Sequence, residues 1–364
     1  MKKRLKYIDI ARGIAIILVV MGHCDNFEQW SIERFAALFF MQLFIFISGY
    51  FYKANLNSVK DLLLLIKKKC LPIYLYYLKF ELLFFALTNF FLKIGFYNPS
   101  TQYGSKTLSY VTSFKDVVTN IIRIILLAGR EPFCGAFWFL VTLIFVVIEY
   151  SVIIYVSNIV FNDSKKRNRF INISVIFFFI VGCIMRYTVS IPRISPAVTM
   201  LLFYHIGGAC RRKEIKFNSL LLFLTSIVGL NILYFLGTIS INSNYFKDPF
   251  FLLICSFFGI YMVMYTSKYI ENHMRHLSLI LSYIGKNTLP IVALHFVTFK
   301  IVMLIQYYFG SISFSELGNL KGANNSNFLY ILYVVTGIFA PLYINFIFEY
   351  ISKKVSNILI QVKK

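Results

Sequence analysis

The stretch KYIDIARGIAIILVVMGHC, residues 6–24, decides the fold class. Its apolar part, at ~1.5 Å per helical residue, covers most of the ~30 Å of a bilayer core, yet it keeps Asp9, Arg12 and His23 inside it. The basic start MKKRLK suits a signal peptide. No small-x-small cleavage site follows, however, and two charges interrupt the run, so the stretch reads as a retained first helix.

The rest of the chain is built the same way. Of its 364 residues 59% are hydrophobic and only 14% charged, and the mean hydropathy is +0.71, which excludes a water-soluble globule. Apolar segments at about 8–25, 33–52, 71–94, 136–161, 170–188, 197–210, 217–239, 249–267, 288–309 and 328–350 predict about ten transmembrane helices. Runs of that length do not suit the alternating strands of an outer-membrane barrel. Residues 117–130, shorter and carrying Arg123, read as an interfacial helix. The expectation is an all-α, polytopic membrane helix bundle over 1–364, a single domain with no appended soluble domain.

The formal charge of +22 comes from 37 Lys+Arg against 15 Asp+Glu, in short clusters between apolar runs. With both termini cytoplasmic, about 23 Lys/Arg fall on the cytoplasmic side and about 7 in the opposite loops. That pattern is membrane sidedness and not a nucleic-acid surface. The six cysteines stand singly with no histidine at ligand spacing, so neither a metal nor a disulfide framework is expected.

Charges inside spans are costly and point to function by default. The candidates are Asp9, Arg12, His23, Lys79, Glu81, Glu149, Arg186, His205, His295, Lys300 and Glu349. Glu349 and Lys300 stand close enough to helix ends to snorkel, and Lys79 and Glu81 to pair with neighbours. Arg12 and His23 lie eleven residues apart, about three turns plus 20°, so one helix face presents a cation near one end and a titratable imidazole ~16 Å further on.

With those residues in hand, YIDIARGIAIILVVMGH resembles the first helix of the acyltransferase 3 family of integral-membrane O-acyltransferases, whose Arg, ten residues, then His is matched by Arg12 and His23. FFMQLFIFISGYF is similar to the family's aromatic-rich second helix ending in Ser48, Gly49 and Tyr50, and Lys67, Lys68, Lys69, Pro72 and Tyr74 stand where a basic cluster, Pro and an aromatic follow. GAFWFLVTLIF, with Trp138, and NTLPIVALHF, with His295, look like the fucose 4-O-acetylase-like branch. Two departures stand out. The basic cluster is all lysine, which attracts phosphate without forking onto it, and Leu143 stands where another branch carries a glutamate.

The resemblance implies transfer of an acyl group, commonly acetyl, from cytoplasmic acyl-CoA (acetyl-CoA as co-substrate) to a hydroxyl of a cell-envelope sugar or polysaccharide, in the cell membrane of a bacterium. It makes His23 a general base or an acyl-carrying nucleophile, with Arg12 and His295 in the same catalytic set. Arg12, Lys67, Lys68 and Lys69 are expected at the donor's phosphates, and Trp138, Ser48 and Tyr50 at the acceptor. Ser48–Gly49 also suits close helix packing, since G-x-S-x-G is absent. Asp9, ~21 Å from His23 along the helix, is too far to orient it. A transporter or flippase of a glycan precursor is the competing class, but no pair of Gly/Pro-broken halves is evident.

Overall fold

Backbone groups set among Leu, Ile and Phe have no water to bond to, so the apolar runs coil into helices that satisfy themselves. The computed structural model describes residues 5–24, 31–99, 102–103, 106–320 and 326–362; the basic start Met1–Arg4 lies outside them. The first part comprises α1 (Lys6–Gly22), α2 (Ile32–Ala37), α3 (Phe40–Tyr50), α4 (Val59–Ala86) and α5 (Thr88–Lys93), then the hairpin β1 (Gln102–Tyr103) and β2 (Lys106–Thr107), and α6 (Phe114–Ile125). After a 3-10 turn, Pro132–Phe137, come α7 (Trp138–Val160), α8 (Ser164–Met185), α9 (Ile194–Arg212) and α10 (Leu220–Leu236). A second hairpin, β3 (Ile239–Ser240) with β4 (Tyr245–Phe246), leads to α11 (Pro249–His273), α12 (Arg275–Lys286), α13 (Thr288–Tyr308) and α14 (Asn327–Val362).

Each of the ten apolar segments falls on helix. Among the described residues six stretches are long and apolar enough to cross a membrane: Ile32–Tyr50, Pro132–Val160, Ser164–Met185, Pro249–His273, Thr288–Tyr308 and Asn327–Lys354. α10 is apolar but shorter. The segment 33–52 is two helices rather than one, broken at Leu38–Phe39.

The basic clusters expected in loops are largely helical. Asp163 caps the start of α8 by accepting from the N–H groups of Lys165 and Lys166, and Ser58 and Asp61 form a capping box that starts α4 well before Lys67–Lys69. α12 replaces much of an expected loop, its buried face (Ser278, Leu281, Ser282, Gly285) laid on α1. The stretch expected as an interfacial helix is helical as α6, an amphipathic piece with Phe114, Val118, Ile122 and Ile125 exposed.

Two contacts between backbones set the centre of the bundle. A Cβ on Gly285 would stand 1.7 Å from Asp9 O and one on Gly13 would stand 2.2 Å from Leu281 O, so α1 and α12 touch chain to chain. A Cβ on Gly49 would stand 1.9 Å from Tyr204 O, and one on Gly207 2.0 Å from Phe46 O, so α3 and α9 do the same. The Ser-Gly of the second helix is therefore a packing device, as its small residues suggest.

Several charges in the spans or beside them are structural. Glu81 is buried and accepts from the backbone N–H groups of Arg130 (3.0 Å) and Glu131 (3.2 Å), closing the loop after α6 onto α4. Glu131, just ahead of the 3-10 turn, accepts from Thr88 Oγ1 and from Arg130 Nη1 at 2.9 Å; burial pushes its carboxyl above the ordinary range, opposed by the Arg130 guanidinium. Lys79 rests on the rings of Phe80 and Phe348. Lys300 does not snorkel: it is 1% exposed, and its ammonium donates to Leu317 O and, at 2.6 Å, to Asn319 O, over the rings of Phe96 and Phe133. Snorkelling was inferred from distance to the helix end, but the segment Phe314–Gly318 folds back over that end and seals it.

Candidate active site

α1 holds Arg12 in its first half and ends at His23, the two residues that the sequence singles out. His23 is the C-cap, its N–H bonded to Val19 O and Val20 O, so the helix stops where the imidazole emerges. On α13, two turns in, His295 is fully buried, and its Nδ1–H donates to Ile291 O at 2.9 Å. A carbonyl can only accept, so Nδ1 carries a proton, and in the neutral ring Nε2 then keeps its lone pair. Nε2 has no hydrogen-bond partner among the described residues. The two imidazoles stack, 5.3 Å between centroids with their planes 21° apart, and Phe296 lies 4.8 Å from the ring of His23 and 4.1 Å from that of His295.

His23 faces a cavity of about 550 Å³. Trp138, at the start of α7, lines it with Phe40; Glu33 and Arg34 from α2, Tyr234 from α10 and Asn242 from the second hairpin supply most of its polar groups. Aromatic rings and hydrogen-bonding groups thus line the same space.

Around the other end of α1 the chemistry is cationic. Arg12 and Arg211 both lie on the ring of Phe51, at 5.1 and 5.2 Å from its centroid. The Tyr50 hydroxyl meets that of Tyr7 at 2.8 Å, and Arg211 Nη1 donates to Tyr50 O. Beside them opens a cavity of about 840 Å³ lined by Tyr52, Lys53, Tyr150, Arg211, Arg212 and Glu214 among others, three cations against one carboxylate. His205 reaches its wall through Tyr150, whose hydroxyl lies 3.0 Å from His205 Nδ1.

The acyltransferase 3 model, described as an acyltransferase domain, matches residues 5–350. The chain belongs to the acyltransferase 3 family. No curated protein and no solved structure matches it.

For this acyltransferase the structure brings His23, His295 and Trp138 to one region and leaves Arg12 some 16 Å along α1 from His23. Tyr50 is at the Arg12 end, 5% exposed, and Ser48 Oγ is spent on Phe44 O at 2.9 Å; neither lines the cavity at His23. Of the three lysines only Lys69 approaches the cationic cavity, with Nζ 5.0 Å over the Tyr52 ring, while Lys67 and Lys68 are exposed on α4. Lys53, Arg211 and Arg212 were absent from the sequence-based site. The string GGACRR at 207–212 held a signal for them: two glycines for a close crossing, then two cations one turn on. Among the described residues no group of three or more His, Cys, Asp or Glu is placed to hold a metal, and no disulfide joins the six cysteines.

Proposed function

We propose that this acyltransferase takes an acyl group, acetyl in the simplest case, from acyl-CoA in the cytoplasm and places it on a hydroxyl of a cell-envelope sugar on the other side of the membrane. The observation that carries the proposal is the pair of cavities at opposite ends of α1, one cationic and one faced by His23. With ten crossings and both termini cytoplasmic, the cationic cavity opens inward. Acyl-CoA is long and polyanionic, and Lys53, Arg211 and Arg212 offer its phosphates two forks and a point charge. Arg12, on the Phe51 ring beside Arg211, continues the positive surface toward the membrane interior. The pantetheine arm then spans the ~16 Å to His23.

At the far end the acceptor hydroxyl meets His23. The imidazole nitrogen takes the hydroxyl proton as the oxygen attacks the thioester carbonyl; the tetrahedral intermediate collapses, the C–S bond breaks, and the thiolate recovers the proton from His23. While His23 carries that charge it lies 5.3 Å from the stacked ring of His295, which in its neutral form stabilises a cation, and 4.8 Å from the tilted ring of Phe296. Trp138 gives the sugar ring a flat apolar wall. Trp138 and His295 also support placement in the fucose 4-O-acetylase-like branch, in a bacterial cell membrane. Transport of a glycan precursor is set aside, because family membership selects group transfer.

Sealed proteoliposomes of known orientation test the proposal. Acyl-CoA confined to the cytoplasmic-face compartment is expected to acylate acceptor confined to the opposite one. Transfer seen only when both share the cytoplasmic-face compartment would overturn it.

A further inference from the structure

The cavity at His23 contains a cation that the acyl-transfer chemistry does not use. Arg34, on α2, lines it, and the guanidinium carbon lies 4.8 Å from the centroid of the Tyr234 ring. That ring is itself fixed: Tyr234 is 3% exposed and its hydroxyl accepts from the Ser31 N–H at 2.8 Å. Arg34 Nε is buried and has no hydrogen-bond partner among the described residues. Glu33 lines the same cavity, but as the adjacent helical residue it projects about 100° away and is largely exposed. The other guanidinium nearby, that of Arg193, is held by Asn242 Oδ1. A guanidinium over a ring can still present its forked edge, and a fork lining a cavity pairs best with two oxygens of one anion.

We infer that Arg34 selects acceptors bearing an anionic oxygen group, a carboxylate or a phosphate, on the molecule whose hydroxyl His23 activates. The inference rests on the acyl-transfer reading for the role of His23, but not for the anion site. Arg34 binds the charge, Tyr234 positions Arg34, and together they fix which hydroxyl of a sugar ring is presented to the imidazole. A neutral sugar gains only the Trp138 wall and the ordinary hydrogen bonds.

The test uses the full chain purified in detergent and three probes: methyl glucoside, methyl glucuronoside and methyl glucoside 6-phosphate. Binding is read from thermal stabilisation over a concentration series. The charged probes are expected to bind about tenfold or more tighter than the neutral one, as a charge-assisted hydrogen-bonded pair would give. The ratio of the two charged probes tells carboxylate from phosphate. Arg34→Gln should bring the charged-to-neutral ratio close to one, and Arg34→Lys, which keeps charge without the fork, should leave an intermediate ratio. No charged preference in the wild-type chain, including no binding of any charged probe, overturns the inference. So does a preference that survives Arg34→Gln, or a variant that only loses thermal stability while its ratio is unchanged. Thioester cleavage of acyl-CoA in the same preparation separates the two readings. Cleavage without an Arg34-dependent preference removes this inference alone, and an Arg34-dependent preference without cleavage removes the acyl-transfer reading alone.

Discussion

The stacked imidazoles make a prediction that a double-mutant cycle can settle. If His295 acts by stabilising the charge that His23 acquires, its effect exists only while His23 is present. A desolvated cation over an aromatic face is worth up to about 2 kcal/mol, and at ~1.36 kcal/mol per decade that is about thirtyfold in rate. The geometry allows a value near that limit, because His295 is 0% exposed and its ring plane lies 21° from that of His23. His23→Ala is expected to lower transfer by about a hundredfold or more, as loss of a general base does. His295→Ala should cost about thirtyfold, and His295→Phe, which keeps a π face and forfeits only the bond to Ile291 O, should fall within severalfold of wild type. The double variant should be no worse than His23→Ala, because residues acting as one unit are not additive. Thiol release from acyl-CoA, followed with a thiol-reactive chromogen in the presence of acceptor, gives all four rates; fluorescence-detected size exclusion confirms folding. A double variant some thirtyfold below His23→Ala would mean that His295 acts on something other than the charge on His23. Full activity in His295→Ala would remove it from the site.

Further expectations concern the cationic cavity and the scaffold. Arg211→Ala and Arg212→Ala should each weaken acyl-CoA binding about tenfold or more, with Lys67→Ala/Lys68→Ala nearly silent at physiological salt, measured by displacement of labelled donor. Gly285→Ala, whose Cβ has Asp9 O in its way, should cost about 1–3 kcal/mol as a lowered Tm, and an unchanged Tm would refute the close crossing. Lys300→Met leaves two carbonyls without their donor and should lower Tm while opening the 311–320 segment to protease. Because burial raises the Glu131 carboxyl, its contribution to stability is full below the ordinary glutamate range and is lost as pH rises through the raised value. Glu131→Gln should flatten that slope in a plot of Tm against pH.

How much of this was readable beforehand depends on the range of the signal. Hydropathy placed all ten apolar segments on helix, since a lipid-facing run has one way to satisfy its backbone. His23 and Trp138 were legible because each sits in a local string, and both face one cavity. The partnership of His23 with His295 spans most of the chain, and nothing in either string states that the rings meet. Arg211 and Arg212 were counted as a sidedness signal, which they also are, and the same charges that orient a span can line a cavity at its end. Lys67 and Lys68 misled because a cluster in sequence, once wound on α4, spreads around the helix, and only Lys69 turns toward Tyr52. Arg34 and Tyr234 meet across two hundred positions, where periodicity carries no information.

The touching backbones of α1 and α12 have a consequence for how the molecule can work at all. A helix seated against its neighbour with no side chain between them has no room to slide by a turn, since the next residues past Gly13 and Gly285 would bring Cβ atoms into collision. α1 is then a strut of fixed length between two chambers, and nothing in it rocks to hand cargo from one side to the other. If transfer runs between the two cavities as proposed, the moving part is the donor's own arm. Thioesters clipped to a stub of that arm would be small enough to visit the imidazoles but would have no anchor at the far chamber. On the proposed reading, the protein would therefore measure its donor from end to end and read its length, as a gauge does.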